Sequence, residues 1–136
     1  MIQPIMKDIL FLQQKSAPAT QADLSIGQDL QDTLLAHKDA CVGLAANMIG
    51  FQKRIIIANM GFGNLVMYNP VLISKAKPYQ TEESCLSLVG SRLTTRYEEI
   101  VVAFRNQYWQ EQTMTLTGFT AQIVQHELDH LEGILI

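Results

Sequence analysis

Residues 117–133 read TGFTAQIVQHELDHLEG, and the reading of this stretch decides the fold. Val124, Leu128 and Leu131 recur at helical spacing. Thr117 stands where an N-cap is wanted, and Gly133 stands where a left-handed residue closes a helix. A helix over 117–131 is therefore expected. His126 and His130 are four residues apart, so a helix stacks them on one face, where two imidazoles can share one metal ion. Glu127 lies three residues before His130 and can reach water held by that ion without becoming a ligand. A divalent cation lowers the pKa of such water toward neutrality, and a carboxylate can then take its proton. The same pattern also arises on helices that carry two surface histidines and an unrelated glutamate. A catalytic site usually keeps three protein ligands and an open position. No further histidine or glutamate follows His130 at the spacing of the common metalloprotease sites, so the third ligand is sought upstream. Cys85, in Glu83-Ser84-Cys85-Leu86-Ser87, is a candidate in a small-residue loop between strands, although a lone cysteine is also a common core residue. One cysteine with two histidines suits zinc or another first-row ion.

Outward from that helix, 99–104 and 108–117 read as a hairpin across Arg105-Asn106-Gln107. In its second arm Tyr108, Gln110, Gln112, Met114 and Leu116 alternate with Trp109, Glu111, Thr113, Thr115 and Thr117. That period of two predicts a half-buried antiparallel strand with its threonine face in water. Residues 54–60 (RIIIANM) and 65–69 form another predicted hairpin, closed by Gly61-Phe62-Gly63-Asn64. Pro70 is expected to open a further short apolar strand at 71–73. Residues 20 to about 40 are expected to be helical. Thr20 and Asp23 make a capping-box-like start, and Ile26, Leu30, Leu34 and His37 share a face with Leu35 beside it. His37 reads as a surface or edge residue. Strands in runs with helices at the ends predict an α+β class rather than a wound parallel sheet.

The 136 residues, 48% hydrophobic and 17% charged, suit one domain over 1–136 that needs no disulfide or metal merely to fold. A net charge of −3 argues against a broad nucleic-acid or membrane-surface footprint, and no apolar run is long enough to cross a bilayer. The first residues, MIQPIMKDILFLQQK, carry Lys7 and Asp8 within their apolar stretch and do not read as a signal peptide. Cys41 and Cys85 are expected to be free thiols in a reducing, cytoplasmic setting.

Three segments together make a family resemblance. Residues 125–133 (QHELDHLEG) match the QHExDHLxG motif of peptide deformylases, which remove the formyl group from nascent N-formylmethionyl chains. Glu83-Ser84-Cys85-Leu86-Ser87 resembles their EGCLS motif with Ser84 in place of glycine. Residues 41–50 (CVGLAANMIG) resemble GxGLAAxQ, with Cys41 for the first glycine and Met48 for the glutamine. The likeness spans nearly the whole chain. It implies mixed or antiparallel sheets packed around a central C-terminal HExxH helix, together with an N-terminal helix. It implies Cys85, His126 and His130 as ligands to one divalent ion, ferrous iron being the native one and zinc, nickel or cobalt its substitutes. It implies Glu127 as general base and acid, and the backbone N–H of Leu86 as an oxyanion donor. Gly43, Leu44, Met48 and Ile123 are implied as walls of a methionine pocket. Arg96 stands where the family carries an arginine that pairs with the motif glutamate, here Glu83. The implied partners are N-formylmethionyl peptides, with ribosome association compatible with that role and no direct contact with nucleic acid or membrane.

Met48 is the departure that bears on activity. The family's glutamine is the other oxyanion donor, and a thioether donates no hydrogen bond. Loss of one such donor costs about 2.7–4 kcal/mol, a factor of roughly 10²–10³ in turnover. Asn47 next to it points elsewhere on any regular element. The leading expectation is thus a metal-dependent deformylase of lowered activity. One alternative is a degenerate relative that binds metal and formyl peptides or another ligand without significant catalysis. Another is a metal hydrolase of a different amide or ester.

Overall fold

The computed structural model describes residues 1–85 and 90–135. A short helix α1 (Ile9–Leu12) is capped by Asp8, whose carboxylate accepts the Leu10 N–H at 3.0 Å. A 3₁₀ turn, Gln21–Asp23, leads into α2 (Leu24–Ala36). Asp23 accepts the Thr20 backbone N–H at 2.8 Å, so the expected cap is present, but it opens the 3₁₀ turn and the α-helix follows it. Ile26, Leu30 and Leu34 are buried, whereas Leu35 is 58% exposed and falls outside the apolar face.

Five strands follow in a sequential antiparallel sheet: β1 (Gly43–Ala45), β2 (Ile55–Asn59), β3 (Asn64–Glu83), β4 (Arg92–Arg105) and β5 (Glu111–Thr117). The β2–β3 hairpin closes at the predicted glycines, with Ile57 opposite Val66 on one side and Leu44 on the other. Leu116 is buried while Thr113, Thr115 and Thr117 face solvent, as the alternation predicts. The separate strand expected at 71–73 does not exist. β3 runs through it for 20 residues, and the break at Pro70 is absorbed by irregular pairing between Tyr68 and Val71, where Asn69 takes φ +52°. Proline has no N–H for a ladder, and a bulge is where a strand tolerates it. Val71 and Ile73 are 53% and 59% exposed and add nothing to the core. β4 begins at Arg92, seven residues before the predicted start, because its first half pairs with the outer half of β3 as a largely polar ribbon. The second hairpin turns over more residues than expected: the Asn106 side-chain oxygen accepts from Tyr108 N and Gln110 N, and β5 starts at Glu111.

β5 leads directly into α3 (Gly118–Leu131), which lies against β1, β2 and β4. Its buried side includes Ile123, Val124, His126, Glu127, His130 and Leu131. Gly133 ends it at φ +75°, and a Cβ there would stand 2.2 Å from the Gln13 carbonyl oxygen, so glycine is required twice over. The core behind α3 comprises Leu30, Leu44, Ile55, Ile56, Ile57, Met67 and Ile100, all at most 1% exposed. The architecture is α+β: an antiparallel sheet around the C-terminal helix, with α2 packed on β2 and β3.

Candidate metal centre and active-site cavity

Helical spacing puts Gln122, His126 and His130 on one stripe of α3, and the end of β3 brings Glu83 and then Cys85 to it. One donor atom from each of Cys85, His126 and His130 lies within 4.8 Å of the others. The two Nε2 atoms face each other at 3.2 Å. Two nitrogens bound tetrahedrally at 2.0–2.1 Å to one ion stand about 3.3 Å apart. A thiolate with two imidazoles also forms a donor set suited to a first-row divalent ion. The residues present therefore fit a metal, and the three sequence candidates are the ones brought together.

The partners of His126 set its orientation. Its Nδ1 donates to Glu83 Oε1 at 2.8 Å, which leaves Nε2 as the free lone pair. Glu83 also accepts from Arg96 Nε at 2.9 Å and Nη2 at 2.7 Å, and from Gln122 Nε2 at 2.9 Å. Arg96, 4% exposed, donates its remaining arm to Asp129 Oδ2 at 2.7 Å. Burial alone would raise the Glu83 pKa, but His126, Arg96 and Gln122 outweigh it and hold the carboxylate at about 2. Burial pushes His130 down to about 3, which favours its neutral ring. Glu127 is driven up to about 7 by burial. Its Oε1 is buried with no hydrogen-bond partner among the described residues.

A cavity of about 310 Å³ opens over this centre. Cys85, His126 and Glu127 form its polar wall. Gly43, Met48, Ile123, Val42 and Phe119 supply apolar surface, and Cys41 and Gln122 border it. Leu44, expected here, is instead wholly buried and does not line the cavity. Met48 is 1% exposed, and its sulfur accepts the Ala45 N–H at 3.4 Å. The neighbouring Asn47 turns away from the cavity and donates to the His130 carbonyl oxygen at 2.7 Å. Leu86, assigned an oxyanion role by resemblance, lies outside the described residues. Gly43 is there for closeness: a Cβ on it would stand 2.8 Å from Ile123 Cγ2 and 2.9 Å from Glu127 Oε2. Sequence reading missed Gln122 and Asp129. The four-residue step from Gln122 to His126 was a usable signal for the first. Asp129 stands at the aspartate of the QHExDHLxG motif, but its partner Arg96 comes from β4, far off in sequence, so its role could not be read locally.

The sequence model of the polypeptide deformylase family matches residues 2–136. A peptide deformylase of Clostridium beijerinckii is 55% identical over 136 residues, the full length of both chains. The chain belongs to the peptide deformylase family. A second deformylase, from Desulfitobacterium hafniense, is 35% identical over 126 residues, covering 91% of this chain and 84% of that one. Among solved deformylases, the Thermotoga maritima structure superposes with a TM-score of 0.90 at 26% identity, covering 99% of this chain and 95% of that one. The class I type b peptide deformylase of Acinetobacter baumannii with Met-Ala-Ser bound gives 0.89 at 28% identity, covering 99% and 97%.

Proposed function

We propose that this deformylase removes the formyl group from N-formylmethionyl peptides at the centre formed by Cys85, His126, His130 and Glu127, with residues 1–136 acting as one domain. The observation that carries the proposal is the convergence of one sulfur and two imidazole nitrogens within 4.8 Å beside a buried carboxylate oxygen that has no partner among the described residues. A divalent ion bound by the three ligands supplies Lewis acidity and makes water easier to deprotonate. Glu127 Oε1 takes the proton from the attacking water, whose oxygen adds to the formyl carbon. Glu127 then returns that proton to the peptide nitrogen as the C–N bond breaks, leaving formate and a free amine. Glu83 holds the His126 ring, and Arg96 and Gln122 hold Glu83. Gly43, Met48 and Ile123 receive the methionine side chain. Ferrous iron is the proposed resident ion, with zinc, nickel or cobalt able to replace it. With that substrate class, the protein is proposed to act in the cytoplasm on chains leaving the ribosome.

Met48 favours a second reading, a metal-binding relative without significant catalysis, because its sulfur accepts a backbone N–H and donates nothing to an oxyanion. The test is formate release from formyl-Met-Ala-Ser by protein loaded anaerobically with iron, beside a Glu127→Ala control. Catalysis predicts formate at least 100-fold above the control. Equal rates from both, with the metal bound, would leave only the second reading.

A further inference from the structure

We propose that Asn47 and Ser16 are positioning residues that hold the second ring nitrogen of His130, keeping its proton on Nδ1 and its Nε2 lone pair free for the ion. The inference rests on the reading of His130 as a metal ligand. The two histidines of the motif are treated differently by the fold. His126 has Glu83 against its Nδ1 at 2.8 Å. His130 is 0% exposed, yet its Nδ1 has no partner among the described residues. A neutral imidazole that binds metal through Nε2 must carry its hydrogen on Nδ1, and a buried N–H without an acceptor is costly.

The acceptors stand on the residues already tied to that end of α3. Asn47 is 0% exposed and spends its amide N–H on the His130 carbonyl at 2.7 Å, which leaves Oδ1 buried and unpartnered. Ser16 is 7% exposed and spends its backbone N–H on the next carbonyl, Leu131, at 2.9 Å, which leaves Oγ buried and unpartnered. Apart from Glu127 Oε1, these three atoms are the only buried side-chain polar atoms without a partner among the described residues. Their chemistry is complementary: one ring N–H to give, one amide oxygen to accept, and one hydroxyl that does both. No direct bond joins the three in this structure, and one water bridging them would satisfy all three. Asn47 is therefore not a displaced substitute for the oxyanion donor missing at Met48. It serves the opposite side of the metal centre, and Ser16 ties the N-terminal segment to the same ligand.

The experiment uses the full chain, ¹⁵N-labelled and loaded with zinc, and follows the His130 ring nitrogens by NMR together with zinc transfer to a chelator. The wild type should show a slowly exchanging hydrogen on His130 Nδ1. In Asn47→Leu, which keeps the volume and removes both the acceptor and the amide donor to the His130 carbonyl, that signal should be lost to exchange and zinc should leave 10–100-fold faster. Ser16→Ala, which removes one oxygen, leaves that donor in place and isolates the acceptor side. It should move both readouts in the same direction by two- to tenfold, and it decides the matter should Asn47→Leu fail to fold. A merely structural role would lower the melting temperature and leave the ring signal and the zinc release unchanged. The ring hydrogen persisting in the folded variants, with zinc release within twofold of wild type, would overturn the proposal. A His130→Ala protein that still bound one zinc as tightly as wild type would instead sink the metal-site reading beneath it.

Discussion

Replacing Gly43 with alanine should damage catalysis through one methyl group. The added Cβ would lie 2.8 Å from Ile123 Cγ2, 2.9 Å from Glu127 Oε2 and 3.1 Å from the Ile57 carbonyl oxygen. Carbon contacts relax at about 3.5–4.0 Å, so something must move by roughly half an ångström or more. Ile57 is backbone paired within the sheet, and Ile123 is 6% exposed on α3, so both resist. The Glu127 carboxylate is the free end of a flexible side chain and gives way first. A misplacement of 1 Å at a reacting group can cost about 10²-fold, so half of that should cost about tenfold in kcat. Overpacking should cost about 1–3 kcal/mol of stability, or roughly 3–4 °C in melting temperature per kcal/mol for a chain of this length. Formate release at equal metal occupancy, with a thermal melt alongside, measures both. Wild-type kcat and melting temperature in Gly43→Ala would refute the claim that this glycine exists to let the carboxylate approach.

Three further outcomes follow from the site. Met48→Gln restores a side-chain donor at the cavity wall and should raise kcat/KM by up to roughly 10²–10³ at unchanged metal content; equal kcat/KM would show that the oxyanion draws on other donors. Arg96→Leu leaves Glu83 buried with only His126 and Gln122 as donors, so it should cost about 3–5 kcal/mol and weaken zinc binding 10–100-fold, read by thermal melts and chelator competition. The Cys41 thiol is pushed up to about 11, by burial first and then by the charge of Glu127. A raised thiol pKa means less thiolate at any lower pH, roughly 100-fold less at pH 8 than for an unperturbed cysteine. Alkylation of Cys41 in the zinc-loaded protein should therefore be slow at pH 8 and keep climbing toward pH 11; a plateau near pH 9 would contradict this.

The helix that carries the ligands was legible because its signals are local: a four-residue step, an apolar stripe, a cap and a closing glycine, all within residues 117–133. The β2–β3 hairpin was legible for the same reason. The length of β3 was not, since its outer half is exposed and pairs only with β4, so no core imposes an alternation on either strand. β1 is three residues long and buried throughout, too short to show any period. The pairing of Glu83 with Arg96 came from family likeness, because nothing local ties the end of β3 to the middle of β4. Gln122 was within reach, one turn before His126. Leu44 was misassigned to the cavity because adjacent strand residues face opposite ways: Gly43 borders the cavity, and Leu44 turns into the core.

The coordination of the bound ion tests the account most directly. X-ray absorption on the zinc-loaded protein should show one sulfur at about 2.3 Å and two imidazole nitrogens at about 2.0–2.1 Å. The sulfur should vanish in Cys85→Ser, and one nitrogen should vanish in His130→Ala. A first shell of oxygen and nitrogen alone in the wild type, or a sulfur that survives Cys85→Ser, would contradict the assignment of the centre.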